Sequence, residues 1–278
     1  MATHKYLSRG TTVCGDWTIQ NRIGSGSYGV VYAAVDRHGN RAVVKIDKHR
    51  GGTVEKEASV LTHLNGIHGF PEVYATGHVR HRYVIVMQNL GLSLEALSDY
   101  TDRHFTTRDI LKIGIQMVDR LRDLHETGFV HRDIHPGNLL VGDQRSGEGD
   151  VIYMVDFGES SRRRDCRQGP RGRYGHPLFA SVNALQKKPY SQKDDIESLV
   201  YTLVCLHNGD LPWFRIGRPC GSNRKIIREC IEMRKSLTAS EICGREVPKS
   251  IVHTLKSCLL YTSPSPRDQR GSRMPSSA

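Results

Sequence analysis

The segments HRDIHPGN, residues 131–138, and DFG, residues 156–158, decide how this chain of 278 residues is read. Asp133 and Asn138 stand five positions apart on a loop that follows a long helical pattern, and Asp156 closes a strand-like run before a glycine. Two acid or amide groups able to hold Mg²⁺, with one carboxylate able to take a hydroxyl proton, are the parts phosphoryl transfer asks of a protein. Each segment alone could arise by chance. Together with two further motifs upstream, in order and at compatible spacings, they leave chance little room.

The first of those motifs is RIGSGSYGVVY, residues 22–32, with Gly24, Gly26 and Gly29 in a turn between two strand patterns. Glycine lets a backbone approach a polyphosphate closely and present its N–H groups. A dinucleotide-binding loop would need a helix after the last glycine. Here Val30, Val31 and Tyr32 continue as a strand, which argues against that fold. The second motif is Lys45 inside the apolar strand AVVKI. A lysine there could snorkel from an edge strand, but a buried ammonium needs a partner. Helix spacing leaves both Glu55 and Glu57 open as that partner.

Outward from these motifs the first third reads as strands (Trp17–Ile23, Val30–Val35, Arg41–Ile46 and Val79–Met87), with one helix from Thr53 to Leu64. After residue 106 the pattern turns helical. Thr106 and Asp109 form a capping-box signature, and Ile110, Ile113, Met117, Leu121 and Leu124 follow at helical spacing until Gly128. Two short strands, Leu139–Val141 and Val151–Val155, flank the polar tip GDQRSGEGD. Asp194 to His207 reads as a buried helix. No run approaches the roughly 18 apolar residues a membrane helix needs, and MATHKYLSRG lacks the apolar core of a secretory leader. Seven cysteines without a CxxC pair argue against a disulfide framework or a zinc site.

In these residues the chain resembles the eukaryotic protein kinase superfamily over about residues 17–258. It is closest to the casein kinase one branch, with the vaccinia-related kinases as near relatives. MQNLGLSLEALS (87–98), ASVN (180–183) where most kinases carry APE, KDDIESLVY (193–201) and LPW (211–213) carry the branch-level likeness. The resemblance implies an α+β, bilobal fold: an N-terminal extension at 1–16, a small strand-rich lobe at 17–87, a hinge at 88–91 and a helical lobe at 92–258. It implies serine/threonine protein kinase activity with ATP and Mg²⁺. Ile23, Gly24, Ser25, Gly26, Ser27, Tyr28 and Gly29 would cover the phosphates, Val31 and Val43 would pack on the adenine, and Lys45 would hold the α- and β-phosphates. The resemblance aligns Glu57 with the glutamate that pairs with that lysine. Met87 would be the gatekeeper, and Gln88, Asn89 and Leu90 the adenine hinge. Asp133 would be the base, and Asn138 and Asp156 the Mg²⁺ ligands. Phe157, Gly158, Ser160, Ser161, Ser181 and Asn183 would belong to the activation segment. Asp195 would anchor the catalytic loop, although an acidic residue favourable to the helix dipole is an equal reading of that position.

The departures matter as much. His135 stands where the family carries a lysine at the γ-phosphate, so a neutral imidazole replaces a full positive charge. Val43 replaces a small alanine, and Leu178 an arginine that reads acidic substrates. HPGN also resembles aminoglycoside and choline phosphotransferases. The alternatives are therefore a small-molecule kinase of that type, or a pseudokinase acting as a scaffold. The net charge of +11 is partly local: residues 159–174 carry six arginines against Glu159 and Asp165, residues 259–278 three against Asp268, and about +5 is spread over the rest. Arg132 beside the first of these segments suits a phosphate, added to Ser160 or Ser161 or brought by a substrate. The expected partners are protein substrates, acidic or pre-phosphorylated ones included, with no nucleic acid and no membrane, for a monomer of cytoplasm and/or nucleus. LLYTSPSPRDQRGSRMPSSA (259–278) is Ser/Pro/Arg-rich, and TSPSPRD resembles translated sequencing-adapter sequence. The tail is therefore expected to be an artefact that truncates the helical lobe.

Overall fold

The computed structural model describes residues 7–262 apart from 27, 49–51, 102–104, 169–174, 217–223 and 245. Strands β1 (Thr12–Val13), β2 (Trp17–Ser25), β3 (Gly29–Val35) and β4 (Arg41–Asp47) come first, then helix α1 (Thr53–His63), β5 (Val73–Val79) and β6 (Arg82–Gln88). They make one antiparallel sheet in the order β1-β2-β3-β4-β6-β5. The period of two along each strand sorts its side chains. Val44, Ile46, Val84 and Val86 join Ile19, Val30 and Tyr32 in a core on one face. Ile85 and Met87 pack on the other, against Val54, Ala58 and Leu61 of α1. Lys45 lies between Val44 and Ile46 and opposite Ile85 in register, so the same parity sends it towards α1.

The second lobe contains α2 (Leu94–Thr101), α3 (Thr107–Glu126), β7 (Phe129–Val130), β8 (Leu139–Val141), β9 (Ile152–Met154), β10 (Ser161–Arg162), α4 (Val182–Leu185), α5 (Gln192–Asn208), α6 (Arg224–Ser236), α7 (Ala239–Cys243) and α8 (Lys249–Thr262). Thr106 and Asp109 form the capping box that starts α3, and its apolar stripe, Ile110, Met117, Leu121 and Leu124, is fully buried. Helix α5 is buried over most of its length between α3 and α8. No helix among the described residues is long and apolar enough to cross a membrane.

Four expectations change. The stretch Val79–Met87 is not one strand: β5 and β6 meet at Arg80 and His81, whose φ angles of 49° and 63° make a left-handed turn without the glycine or asparagine that usually announces one. Helix α2 starts inside MQNLGLSLEALS (87–98), just after the expected hinge, where the sequence pattern assigns no element. The sheet begins inside the expected extension, because Val13 pairs with Trp17 and is buried. Helix α8 continues to Thr262, four residues into the expected tail; residues 263–278 lie outside the described residues.

Leu121, with no exposed surface, tests where the core sits. Leu121→Ala is expected to lower stability by about 2–5 kcal/mol in urea denaturation, and a loss under about 1 kcal/mol would contradict the packing described.

Candidate active site

Two elements distant in sequence meet at Lys45. Its Nζ lies 2.6 Å from Glu57 Oε2 and donates to Asp156 Oδ1 at 2.8 Å. The first partner comes from α1, whose start is tied to β4 where Val54 N donates to Asp47 Oδ1. Glu55 is exposed, so of the two glutamates open on spacing only Glu57 reaches the ammonium. Gly158 lets α1 approach this corner: a Cβ there would lie 2.7 Å from Thr53 Cγ2. Burial alone would lower the Lys45 pKa, but Asp156 and Glu57 outweigh it and raise it, so the group is firmly charged. Asp156 titrates below its ordinary value because Lys45 overcomes its burial, whereas burial and the neighbouring Asp156 push Glu57 up despite Lys45. One cation is shared by two acids.

Residues 131–138 are held from beneath by Asp195. Its carboxylate accepts from the backbone amides of His131 and Arg132, both at 2.9 Å, and from His125 Nε2 and Tyr190 Oη, both at 2.8 Å. Burial would raise its pKa, but the hydrogen bond and charge of His125 and the Arg132 amide bring it below the usual carboxylate range. These bonds support a strained backbone, since Arg132 has φ 74° and Asp156 φ 63°. His131 donates from Nε2 to Val155 O at 3.1 Å and accepts the Asp133 amide on Nδ1 at 3.3 Å. Both ring nitrogens are then used by a neutral imidazole, consistent with burial lowering its pKa.

Asp133 Oδ1 accepts from the His176 amide at 2.7 Å. Burial and the nearby charge of Asp156 push the Asp133 carboxyl up to about 6. Asn138 donates from Nδ2 to Asp133 O at 2.9 Å, which leaves its Oδ1 as the available acceptor. His135 accepts the Gly137 amide on Nδ1 at 3.1 Å. Its proton is therefore on Nε2, which lies 3.8 Å from Asp133 Oδ1. Burial lowers the His135 pKa and keeps the ring neutral.

The remaining expected residues lie on β2, β3, β4 and β6, on the turn between β2 and β3, and in the segments after β6 and β9. Val31 pairs with Lys45 in register, and Val43 with Met87 at the edge of the α1-facing core. Ile23, Ser25 and Gly26 are exposed, and Gly24 and Tyr28 half-buried. The Gly26 amide donates to Gly29 O, and Lys48 Nζ donates to Gly26 O. A Cβ at Gly29 would press on Lys45 Cγ at 3.1 Å, whereas at Gly26 it would meet nothing within 4 Å. Gln88, Asn89 and Leu90 are half-buried where β6 leaves the sheet. Ser27 lies outside the described residues. Phe157 is buried against Phe70 and His131.

Ser160 departs from expectation. It is fully buried and its Oγ donates to His131 O at 3.3 Å, so it is not placed to receive a phosphate; Ser161 is half-exposed, and Arg132 Nη1 donates to its Oγ at 2.8 Å. Ser181 is also buried, caps α4 and donates to Asp194, while Asn183 is half-buried. Sequence reasoning missed Arg234, which is 1% exposed. It donates to Ala180 O, Pro177 O and Leu178 O, stacks 4.2 Å from the Trp213 ring centroid, and so holds the segment that reads ASVN. No local pattern marks it; its carbonyl partners lie more than fifty residues away. His176 and Tyr190 escaped notice for the same reason.

The protein kinase domain model matches residues 17–268. Casein kinase I homolog 3 of Schizosaccharomyces pombe is 30% identical over 237 residues, covering 82% of this chain and 54% of the relative. The chain thus spans about half the length of that relative.

The Asp133 carboxyl, raised to about 6, binds a proton more tightly folded than unfolded. Its ionisation therefore weakens the fold as pH rises from its unfolded value to about 6. In the nucleotide-free protein the His176 amide resonance is expected to titrate with a midpoint near 6, and Asp133→Asn to melt no lower than the parent at neutral pH. A midpoint near 4 would contradict this environment.

Proposed function

The chain belongs to the protein kinase family, and from that premise we propose that it transfers the γ-phosphoryl group of Mg·ATP to serine or threonine hydroxyls of proteins, in the manner of casein kinase one enzymes. The observation that carries this reading is the buried Lys45 ammonium shared by Glu57 and Asp156 beside Asp133. A firmly charged donor at the foot of a glycine turn suits the α- and β-phosphates. Gly26, where a Cβ would meet nothing within 4 Å, suits a backbone that closes over them.

Asp133 is the base. The substrate oxygen bonds to the γ-phosphorus, the bond to the ADP oxygen breaks, and the hydroxyl proton passes to the Asp133 carboxylate. Its raised pKa improves its basicity while leaving it ionised at neutral pH. The donor set fits Mg²⁺: Asp156 and Asn138 offer hard oxygen atoms, and around Lys45 the carboxylates outnumber the ammonium. Asp156 and Asn138 would hold the ion, which neutralises phosphate charge when bound. His135 contributes a neutral Nε2–H donor in place of an ammonium. The exposed Arg162, Arg163 and Arg164, following Arg132 and Ser161 in space, favour acidic or phosphorylated substrates.

Incorporation of labelled phosphate into casein and into acidic and basic peptide libraries tests the reading. The parent is expected to label proteins, acidic peptides above basic ones, and Asp133→Asn to lose about 10³-fold or more. Equal labelling by the two defeats it. Thermal-shift titration without stabilisation by ATP and Mg²⁺ would point to the binding module, and transfer to aminoglycoside or choline alone to the small-molecule reading. His135→Ala is expected to lower kcat about tenfold or more, as loss of one transition-state donor does, and an unchanged kcat would remove His135 from the machinery.

A further inference from the structure

The polar tip between β8 and β9 makes an organised contact with the hinge. Gln88 Nε2 donates to Glu148 Oε2 at 3.2 Å and to Tyr153 Oη at 3.3 Å, and Tyr153 Oη donates to Glu148 Oε1 at 2.8 Å. The three side chains close a ring in which every proton has one acceptor. Gln88 Oε1 accepts from the Glu72 amide at 3.3 Å, which sets the orientation of its amide. Ser146 Oγ also donates to Glu148 at 3.2 Å. The tip itself is tightly folded: a Cβ on Gly142 would stand 2.4 Å from Glu148 O. Tyr153 is 3% exposed, and burial and Glu148 push its pKa up to about 12, so its hydroxyl remains a donor.

The hairpin that carries this ring has a second end. Strand β8 begins at Leu139, next to Asn138, and β9 ends at Met154, two residues before Asp156. Along β8 the hinge is zipped down where Gly91 N donates to Val141 O at 2.8 Å and Val141 N to Leu92 O at 3.0 Å. A Cβ at Gly91 would meet Val141 Cγ2 at 2.7 Å, so the approach is as close as side chains allow. One short ladder thus joins the hinge to the two residues that would hold Mg²⁺.

We propose that Glu148 is a positioning residue for the nucleotide: with Tyr153 it locks Gln88 and so sets the hinge backbone relative to Asn138 and Asp156. This rests on the kinase reading above. Its bonds to Gln88 and Tyr153 join side chains, so loss of Glu148 loosens Gln88 without opening the hydrophobic core or the backbone bonds at Gly91 and Leu92.

The test uses the full chain with Glu148→Ala, Glu148→Gln and Tyr153→Phe. Glu148→Ala is expected to weaken binding of Mg²⁺ with a non-transferable ATP analogue about tenfold, the size of one lost charge-assisted hydrogen bond. KM for ATP rises in parallel, kcat and KM for the protein substrate stay within about twofold, and amide exchange over residues 88–92 accelerates. Glu148→Gln keeps one acceptor oxygen but loses the charge and the other, so it should fall between the parent and Glu148→Ala, as should Tyr153→Phe. Unchanged exchange at 88–92 in Glu148→Ala overturns the proposal, as does a fall in kcat with both KM values disturbed alike. A parent that neither binds nor transfers nucleotide overturns the kinase reading instead, while the exchange contrast still decides whether Glu148 holds the hinge.

Discussion

A single buried ammonium, Lys45, shared by Glu57 and Asp156, ties the small lobe to the large one. An unpaired charge at that depth would cost several kcal/mol, so the strand, α1 and the segment after β9 are constrained to meet there. Removing one acid would leave the lysine its other partner; only the loss of both would strand it. The pairing also leaves negative charge in excess at that corner.

The same logic of one buried charge with many partners repeats beneath residues 131–138. Asp195 accepts from two backbone amides, an imidazole and a phenol, and these four bonds hold Arg132 in a left-handed conformation that an arginine seldom adopts. Arg234 is the positive counterpart, its guanidinium spread over three carbonyls and two rings. The first charge organises the segment that carries Asp133, the second the segment from Pro177 to Ala180. Stability and site geometry are therefore the same set of hydrogen bonds, and strain at Arg132 and Asp156 persists because its surroundings over-determine it.

His135 shows how local bonding can change the chemistry of a position. A lysine would bring a charge regardless of its neighbours. The imidazole brings a proton whose place is set by the Gly137 amide on its other nitrogen, so the site has a directed neutral donor. The rings of His176 and Phe179 pack beside it, 5.0 and 6.1 Å away by centroid, and keep the imidazole in that attitude.

Much of this was legible along the chain, because it depends on periodicity and residue type. The alternation in β4 and β6, the apolar stripe and capping box of α3, the buried α5 and the order of Lys45, Asp133, Asn138 and Asp156 are all local facts. The turn at Arg80 and His81 was not, since neither residue advertises a left-handed backbone; the sheet's register imposes it. Spacing left Glu55 and Glu57 equal, and only the rotation of α1 against β4 separates them. Ser160 and Ser161 read alike as neighbours, yet Ser160 closes the turn before β10 with its hydroxyl on His131 O, while Ser161 opens β10 and meets Arg132. The proton affinity of Asp133 depends on burial and on Asp156, 23 residues further along the chain. A sequence states which side chains can carry charge, donate or pack. Which of them share a volume small enough for electrostatics and hydrogen bonds to act, Lys45 and Asp156 across 111 residues above all, is decided only when the chain has closed on itself.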